Sequence, residues 1–130
     1  MQALVIDDSR AMRRIVSGIL EDVGYTTVQA GHGREALDLL EGGLVADLAC
    51  VDWNMPVMDG LSFVTAVRAN PDWRSMTLMM VTTESEHGQI VRALAAGAHE
   101  YLLKPFTPDA LHDKLALLGL LPAAGAEVLA

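Results

Sequence analysis

Asp7 and Asp8 close one apolar run of the chain, Asp52 closes a second, Thr82 a third and Lys104 a fourth. The runs span residues 3–6, 48–51, 76–81 and 101–103. If they are parallel strands, the five polar side chains share one rim. Three carboxylates this close repel one another and raise each other's pKa unless a cation sits among them. Hard oxygen ligands with no His or Cys beside them suit a magnesium-like ion, which keeps several waters and takes one or two carboxylates directly. A cation, a lysine and a hydroxyl grouped around one carboxylate are what phosphoryl transfer needs, because the charge on the moving group must be neutralised and the reactants positioned. Asp52 is then the nucleophile and carries the phosphoryl group as an acyl phosphate.

Each residue taken singly has a plainer reading. An Asp after a strand is commonly a turn former, Asp-Asp-Ser at a strand-to-helix joint can be simple capping, Thr82 can be a β-former, and Lys104 before Pro105 can be a solvated loop lysine. Capping alone does not produce all of them at successive strand ends.

The surrounding pattern supplies those strands. Short apolar runs alternate with helical patterns five times. After residues 3–6, Ser9 caps a helix with apolar positions at Ile15, Val16, Ile19, Leu20 and Val23, closed by Gly24. Residues 25–30, rich in Thr and Val, read as a second strand. A short helix follows with Ala36, Leu37 and Leu40 inward and Gly42-Gly43 as its stop. After the third run and the stretch DWNMPVMDG at 52–60, a helix over about 61–69 shows Leu61, Val64 and Val67 on one face and ends at Asn70-Pro71. A helix from about 86 to 96 carries Ile90, Val91 and Leu94 and ends at Gly97. Thr107 and Pro108 open the last helix as N-cap and first helical residue; Leu111, Leu115 and Leu118 form its stripe and Gly119 closes it.

Five β–α units with nearly continuous apolar strands predict an α/β fold, a doubly wound five-stranded parallel sheet with helices on both faces. In such sheets the ligand site lies beyond the C-terminal strand ends, where the candidate residues cluster. Residues 1–120 read as one unit and 121–130 as a short Ala- and Gly-rich tail, fraying from Pro122 onward.

Composition narrows the function. The chain has 130 residues, is 52% hydrophobic and carries a net charge of −8. That size and apolar content suit one domain with its own core. The negative charge argues against nucleic acid and against an anionic membrane surface as partners. No apolar stretch approaches a membrane span and no signal-peptide pattern opens the chain, so a cytoplasmic protein is expected. Cys50 is the single cysteine and, lying in an apolar run, reads as a buried inert thiol.

Four motifs in order, VIDDS (5–9), DWNMPVMDG (52–60), MVTTE (80–84) and EYLLKPFT (100–107), resemble the receiver domain of bacterial two-component response regulators, in particular its single-domain chemotaxis type. The resemblance covers residues 2–118. It implies the strand order 2-1-3-4-5, known for the chemotaxis member. It implies Asp52 as phosphoacceptor, Asp7 and Asp8 as the acidic pair holding Mg²⁺, and the Asn54 backbone carbonyl as a further metal ligand. Thr82 is implied as the switch hydroxyl, Lys104 as the phosphate-binding lysine, Tyr101 as the aromatic whose rotamer follows Thr82, and Asn54 and Glu84 as positions that tune dephosphorylation. The family's Lys-Pro peptide is commonly cis, which the resemblance extends to Lys104-Pro105. Thr83 departs from the family's preference for a smaller residue beside the phosphoryl approach. Trp53 reads equally as a flank of the site and as a half-buried packing residue.

The implied activity is phosphoryl transfer onto Asp52 from a histidine kinase or phosphotransfer protein, with autodephosphorylation. Output follows through phosphorylation-dependent binding of a protein such as the flagellar motor switch, and a phosphatase is a further possible partner. The alternatives are a phosphorelay intermediate, a stand-alone receiver outside chemotaxis, and a docking module that is never phosphorylated. More distant is a Mg²⁺-dependent phosphatase of the haloacid dehalogenase type, which wants Asp-x-Asp after its first strand where this chain has Asp7-Asp8. A flavodoxin-like flavin binder needs a Ser/Thr/Gly-rich phosphate loop, and Asp-Asp-Ser-Arg is a poor one.

Overall fold

The computed structural model describes residues 1–83 and 87–122. Strands and helices alternate: β1 (Gln2–Ile6), α1 (Arg10–Asp22), β2 (Thr26–Ala30), α2 (Gly33–Glu41), β3 (Leu48–Val51), α3 (Gly60–Ala69), β4 (Thr77–Thr83), α4 (His87–Ala96), β5 (Glu100–Lys104) and α5 (Pro108–Leu117). A single 3₁₀ turn, Pro71–Trp73, lies between α3 and β4. The strands form one parallel sheet in the order β2-β1-β3-β4-β5, as expected.

Strand alternation sorts the core into two layers. Leu4, Ile6, Ala49, Val51, Leu78 and Met80 pack against α2, α3 and α4, where Leu37, Phe63, Val64, Val67 and Ala93 are buried. Ala3, Val5, Leu48, Cys50, Met79 and Val81 face α1 and α5, meeting Val16, Leu20, Leu111 and Leu115. The three central strands are apolar on both faces because helices cover both, the usual state of a parallel sheet.

The helix boundaries follow local chemistry. Ser9 and Thr107 cap α1 and α5 by accepting the N–H of Met12 and Ala110, and Asp59 caps α3 through the N–H of Ser62. Asn70 ends α3 and caps the 3₁₀ turn. Three details depart from the sequence reading. β4 extends through Thr82 and Thr83, so both belong to the strand. Ile15 and Val91 are 53% and 63% exposed, because the stripes of α1 and α4 are narrower than the count of apolar residues suggests. Pro122 is buried, in contact range of Gly24, and so is held where fraying is expected to begin; residues 123–130 lie outside the described residues.

Candidate functional site

Both central carboxylates are delivered by the sheet itself. The N–H of Asp7 donates to the Ala30 carbonyl at 3.2 Å, and that of Asp52 to the Ile6 carbonyl at 2.9 Å, so each residue extends the ladder one step past its strand. Their side chains are then fixed by the loops they open. Asp7 Oδ1 accepts the Ser9 N–H at 2.8 Å; Asp52 Oδ1 accepts the Trp53 N–H at 2.8 Å. Under Asp52 the return of the chain is tight. Gly60 donates to the Trp53 carbonyl at 2.8 Å, and a Cβ on it would stand 2.3 Å from the Asp52 carbonyl oxygen. Only glycine permits that approach.

Asp7, Asp8 and Asp52 each place a carboxylate oxygen within 4.8 Å of the others. Lys104, the last residue of β5, reaches into the group, with Nζ 2.9 Å from Asp7 Oδ2 and 3.4 Å from Asp52 Oδ1. The peptide that follows it, Lys104-Pro105, is cis. Burial, followed by the charge of Asp7, pushes the Asp52 carboxyl up to about 6 despite the nearby lysine. Burial pulls the Lys104 ammonium down, but its hydrogen bond to Asp7 and the charges of Asp52 and Asp7 outweigh that and leave it raised. The site thus holds more negative charge than its one lysine neutralises. A hard divalent cation is the complement of such a donor set, so the residues fit Mg²⁺.

Thr82 lies at the same end of the sheet, next to last in β4. Among the described residues its buried hydroxyl has no hydrogen-bond partner, a state that costs about 1–3 kcal/mol unless another group relieves it. In the β4–β5 register Thr82 lies opposite Leu103 and Met80 opposite Tyr101. Thr82 and Tyr101 therefore share the α3–α4 face of the sheet, one diagonal step apart. Tyr101 is half-buried against that core layer. Lys114 Nζ stands 4.9 Å from its ring centroid and 3.1 Å from Glu100 Oε1.

The remaining candidates are placed as follows. Asn54 is exposed in the loop after Asp52, and Thr83 is exposed opposite Lys104. Trp53 is buried within the core layer facing α2 and α3, so its ring is a packing group and only its N–H serves the site. Glu84 lies outside the described residues.

Comparison with known proteins decides what this rim belongs to. The response regulator receiver domain matches residues 3–116. The chain belongs to that family. A chemotaxis protein CheY homolog of Campylobacter jejuni is 45% identical over 116 residues, covering 88% of this chain and 89% of that one. The chemotaxis protein CheY of Pseudomonas aeruginosa is 40% identical over 116 residues, covering 88% of this chain and 93% of its own length. Among solved structures, the Vibrio cholerae chemotaxis protein CheY4 superposes with a TM-score of 0.82 at 38% identity, over 89% of this chain and 96% of that one. The chain is a receiver domain of the CheY type. Receivers bind Mg²⁺ at an acidic pocket, and Asp7, Asp8 and Asp52 make up the acidic cluster of this one.

Two residues of this receiver's surroundings escaped the sequence reading. Arg13, on α1, donates to the backbone carbonyl of Asp7 at 2.6 Å. Arg68, at the end of α3, donates to the carbonyls of Gly97 and Met76 at 2.9 Å each and of Arg74 at 3.2 Å. A signal for Arg13 was present. Arg10, Arg13 and Arg14 crowd the first turns of a helix whose dipole disfavours cations there, and such a cost implies a partner.

Proposed function

We propose that this receiver is a stand-alone cytoplasmic signalling switch, phosphorylated on Asp52 by a histidine kinase or phosphotransfer protein and read out by phosphorylation-dependent protein binding in chemotaxis. The carrying observation is the charge-deficient rim, three carboxylates within 4.8 Å with a single lysine among them. Residues 1–120 form the phosphoacceptor unit and 121–130 a tail.

Asp52 Oδ1 is occupied by the Trp53 N–H and Lys104, which leaves Oδ2 as the attacking oxygen. Oδ2 bonds to phosphorus as the donor's P–N bond breaks, and the phosphoryl group leaves the donor histidine for the carboxylate. Lys104 swings its ammonium from Asp7 to a phosphoryl oxygen and balances its charge. Asp7, Asp8, Asp52 and the Asn54 carbonyl would hold Mg²⁺, which would supply neutralisation of the phosphoryl oxygens. The unsatisfied Thr82 hydroxyl donates to one of those oxygens. Its displacement opens space on the shared face, and Tyr101 turns inward. The surface of α4, β5 and α5 changes with it, and the flagellar motor switch is the partner whose affinity rises. Asn54 and Glu84 set the rate at which water removes the group, and Thr83 narrows the approach to it. A phosphatase acts at the same rim.

Incubation with acetyl phosphate and Mg²⁺ should add one acid-stable, base-labile phosphoryl group, absent in Asp52→Asn. Equal labelling of the two proteins would overturn the assignment. Timed transfer from candidate kinases, with binding of a motor switch peptide measured before and after, tests the chemotaxis role.

A further inference from the structure

We infer that Arg13 is a positioning residue for the acidic pair: it clamps the Asp7–Asp8 peptide to the neighbouring strand and so sets where the Asp8 carboxylate stands for the metal. The inference rests on the Mg²⁺ site proposed above.

The guanidinium has two anchors. Nη1 takes the Asp7 carbonyl at 2.6 Å, and Nε takes Gln29 Oε1 on β2 at 3.3 Å. The Asp7 carbonyl belongs to the peptide that leads into Asp8, so holding it fixes the orientation of the residue that follows. Asp7 has further anchors of its own in the Ala30 carbonyl, the Ser9 N–H and Lys104. Asp8 is exposed. No hydrogen bond or ion pair of its side chain is found among the described residues. Its placement therefore depends on the peptide that precedes it, and Arg13 is the side chain that holds that peptide.

The loop after β2 runs close to the clamp. A Cβ at Gly31 would lie 3.7 Å from Arg13 Nη1 and 3.9 Å from Glu35 Oε1, and Glu35 in turn accepts the Gly31 N–H at 2.7 Å. Two residues on, Gly33 donates to the Met58 carbonyl at 3.1 Å, in the loop that carries Asp52 and Asn54. The Gly31–Gly33 stretch near Arg13 is thus tied to α2 through Glu35 and to the Asp52 loop through Met58. Fixing ligands from a second layer is how metal sites gain affinity, and losing such a contact commonly costs about tenfold or more in metal binding.

The competing account is plain charge. Arg13 is a cation beside a cation site, so through-space repulsion alone predicts that removing it tightens Mg²⁺ binding. Positioning predicts the opposite sign. Arg14, one residue on, is exposed and has no ion pair or hydrogen bond among the described residues. It serves as the control for charge.

The experiment titrates Mg²⁺ into the wild type, Arg13→Ala, Gln29→Ala and Arg14→Ala, well below their melting temperatures, following backbone amide shifts. Arg13→Ala should weaken Mg²⁺ binding about tenfold. Gln29→Ala should weaken it less, and Arg14→Ala should leave it unchanged or slightly tighter. In the metal-free proteins Arg13→Ala should shift the Asp8 and Ser9 amides and leave those of Asp52 and Trp53 near their wild-type positions. Unchanged or tighter binding in Arg13→Ala, or an equal loss in Arg14→Ala, overturns the inference. If Arg13→Ala does not fold, Gln29→Ala decides alone, and wild-type affinity in it overturns the clamp. A wild type that ignores Mg²⁺ sinks the proposed metal site instead, and the metal-free amide shifts then still test whether Arg13 holds the loop.

Discussion

Asp52 is a carboxyl in conflict with its surroundings, and the conflict has a sign. Its pKa rises from about 3.9 in an unfolded chain to about 6 in the fold. Between those values the native state binds more protons than the unfolded state, so stability falls as pH rises from about 4 to about 6. Above that window the cost levels off. Urea melts of the metal-free protein across this range should show the decline, Asp52→Asn should remove it, and saturating Mg²⁺ should flatten it. A decline of equal size in Asp52→Asn would place its origin elsewhere. Lys104 works within the same balance. Lys104→Ala should leave Asp52 open to some phosphorylation by small donors but uncouple it from partner binding, which labelling and peptide binding measured side by side would show. These residues were readable in advance because strand-end acids, a lysine before proline and a threonine closing an apolar run are local features with a fixed spacing. The burial of Trp53 was not. Which way an indole turns after a strand depends on α2 and α3, and nothing in DWNMPVMDG encodes their position.

The elements meet at contacts whose tolerances can be stated. Gly60→Ala would drive a methyl into the Asp52 carbonyl, 2.3 Å away. The expected cost is about 1–3 kcal/mol in unfolding free energy, with slower phosphorylation because the Asp52 peptide must shift to make room. A wild-type urea midpoint in that variant would show that the loop yields freely. At the opposite end of β4, His99 Nδ1 accepts the Leu78 N–H at 3.1 Å and stands 3.1 Å from Arg68 Nη2. Burial, with Arg68 adding to it, lowers the His99 pKa. The unfolded chain then binds more protons, so this contribution to stability is complete above about pH 6.5 and is lost as pH falls through the folded value. Its slope opposes that of Asp52. His99→Asn keeps an acceptor without the titration and should isolate the Asp52 decline in the same melts. The helices and strands themselves were legible because apolar periodicity and caps are local signals. The Arg68 clamp was not, since its carbonyl partners lie 6, 8 and 29 residues away.

At the scale of the whole molecule the sheet shields its own thiol. Cys50 is buried at the centre of β3, and burial pushes its pKa up to about 12. A thiol reagent should therefore react at the rate of unfolding, slowly in buffer and faster with urea, whereas a fast phase in buffer would reveal a native opening. The sheet order was carried over from the family, because periodicity alone cannot rank five similar strands. The two ends of the described chain close on one spot, far from the rim. Met1 accepts the Thr26 N–H at 3.0 Å, while the Tyr25 hydroxyl donates to the Leu120 carbonyl at 2.6 Å. Beginning and end are thus neighbours across a single turn. A gene rearranged so that a short glycine linker joins residue 122 to residue 1, with fresh ends opened at Gly42-Gly43, should still yield a foldable protein. Its new ends would sit on the loop before β3, leaving both the acidic rim and the α4–β5–α5 face free for a fused reporter to watch.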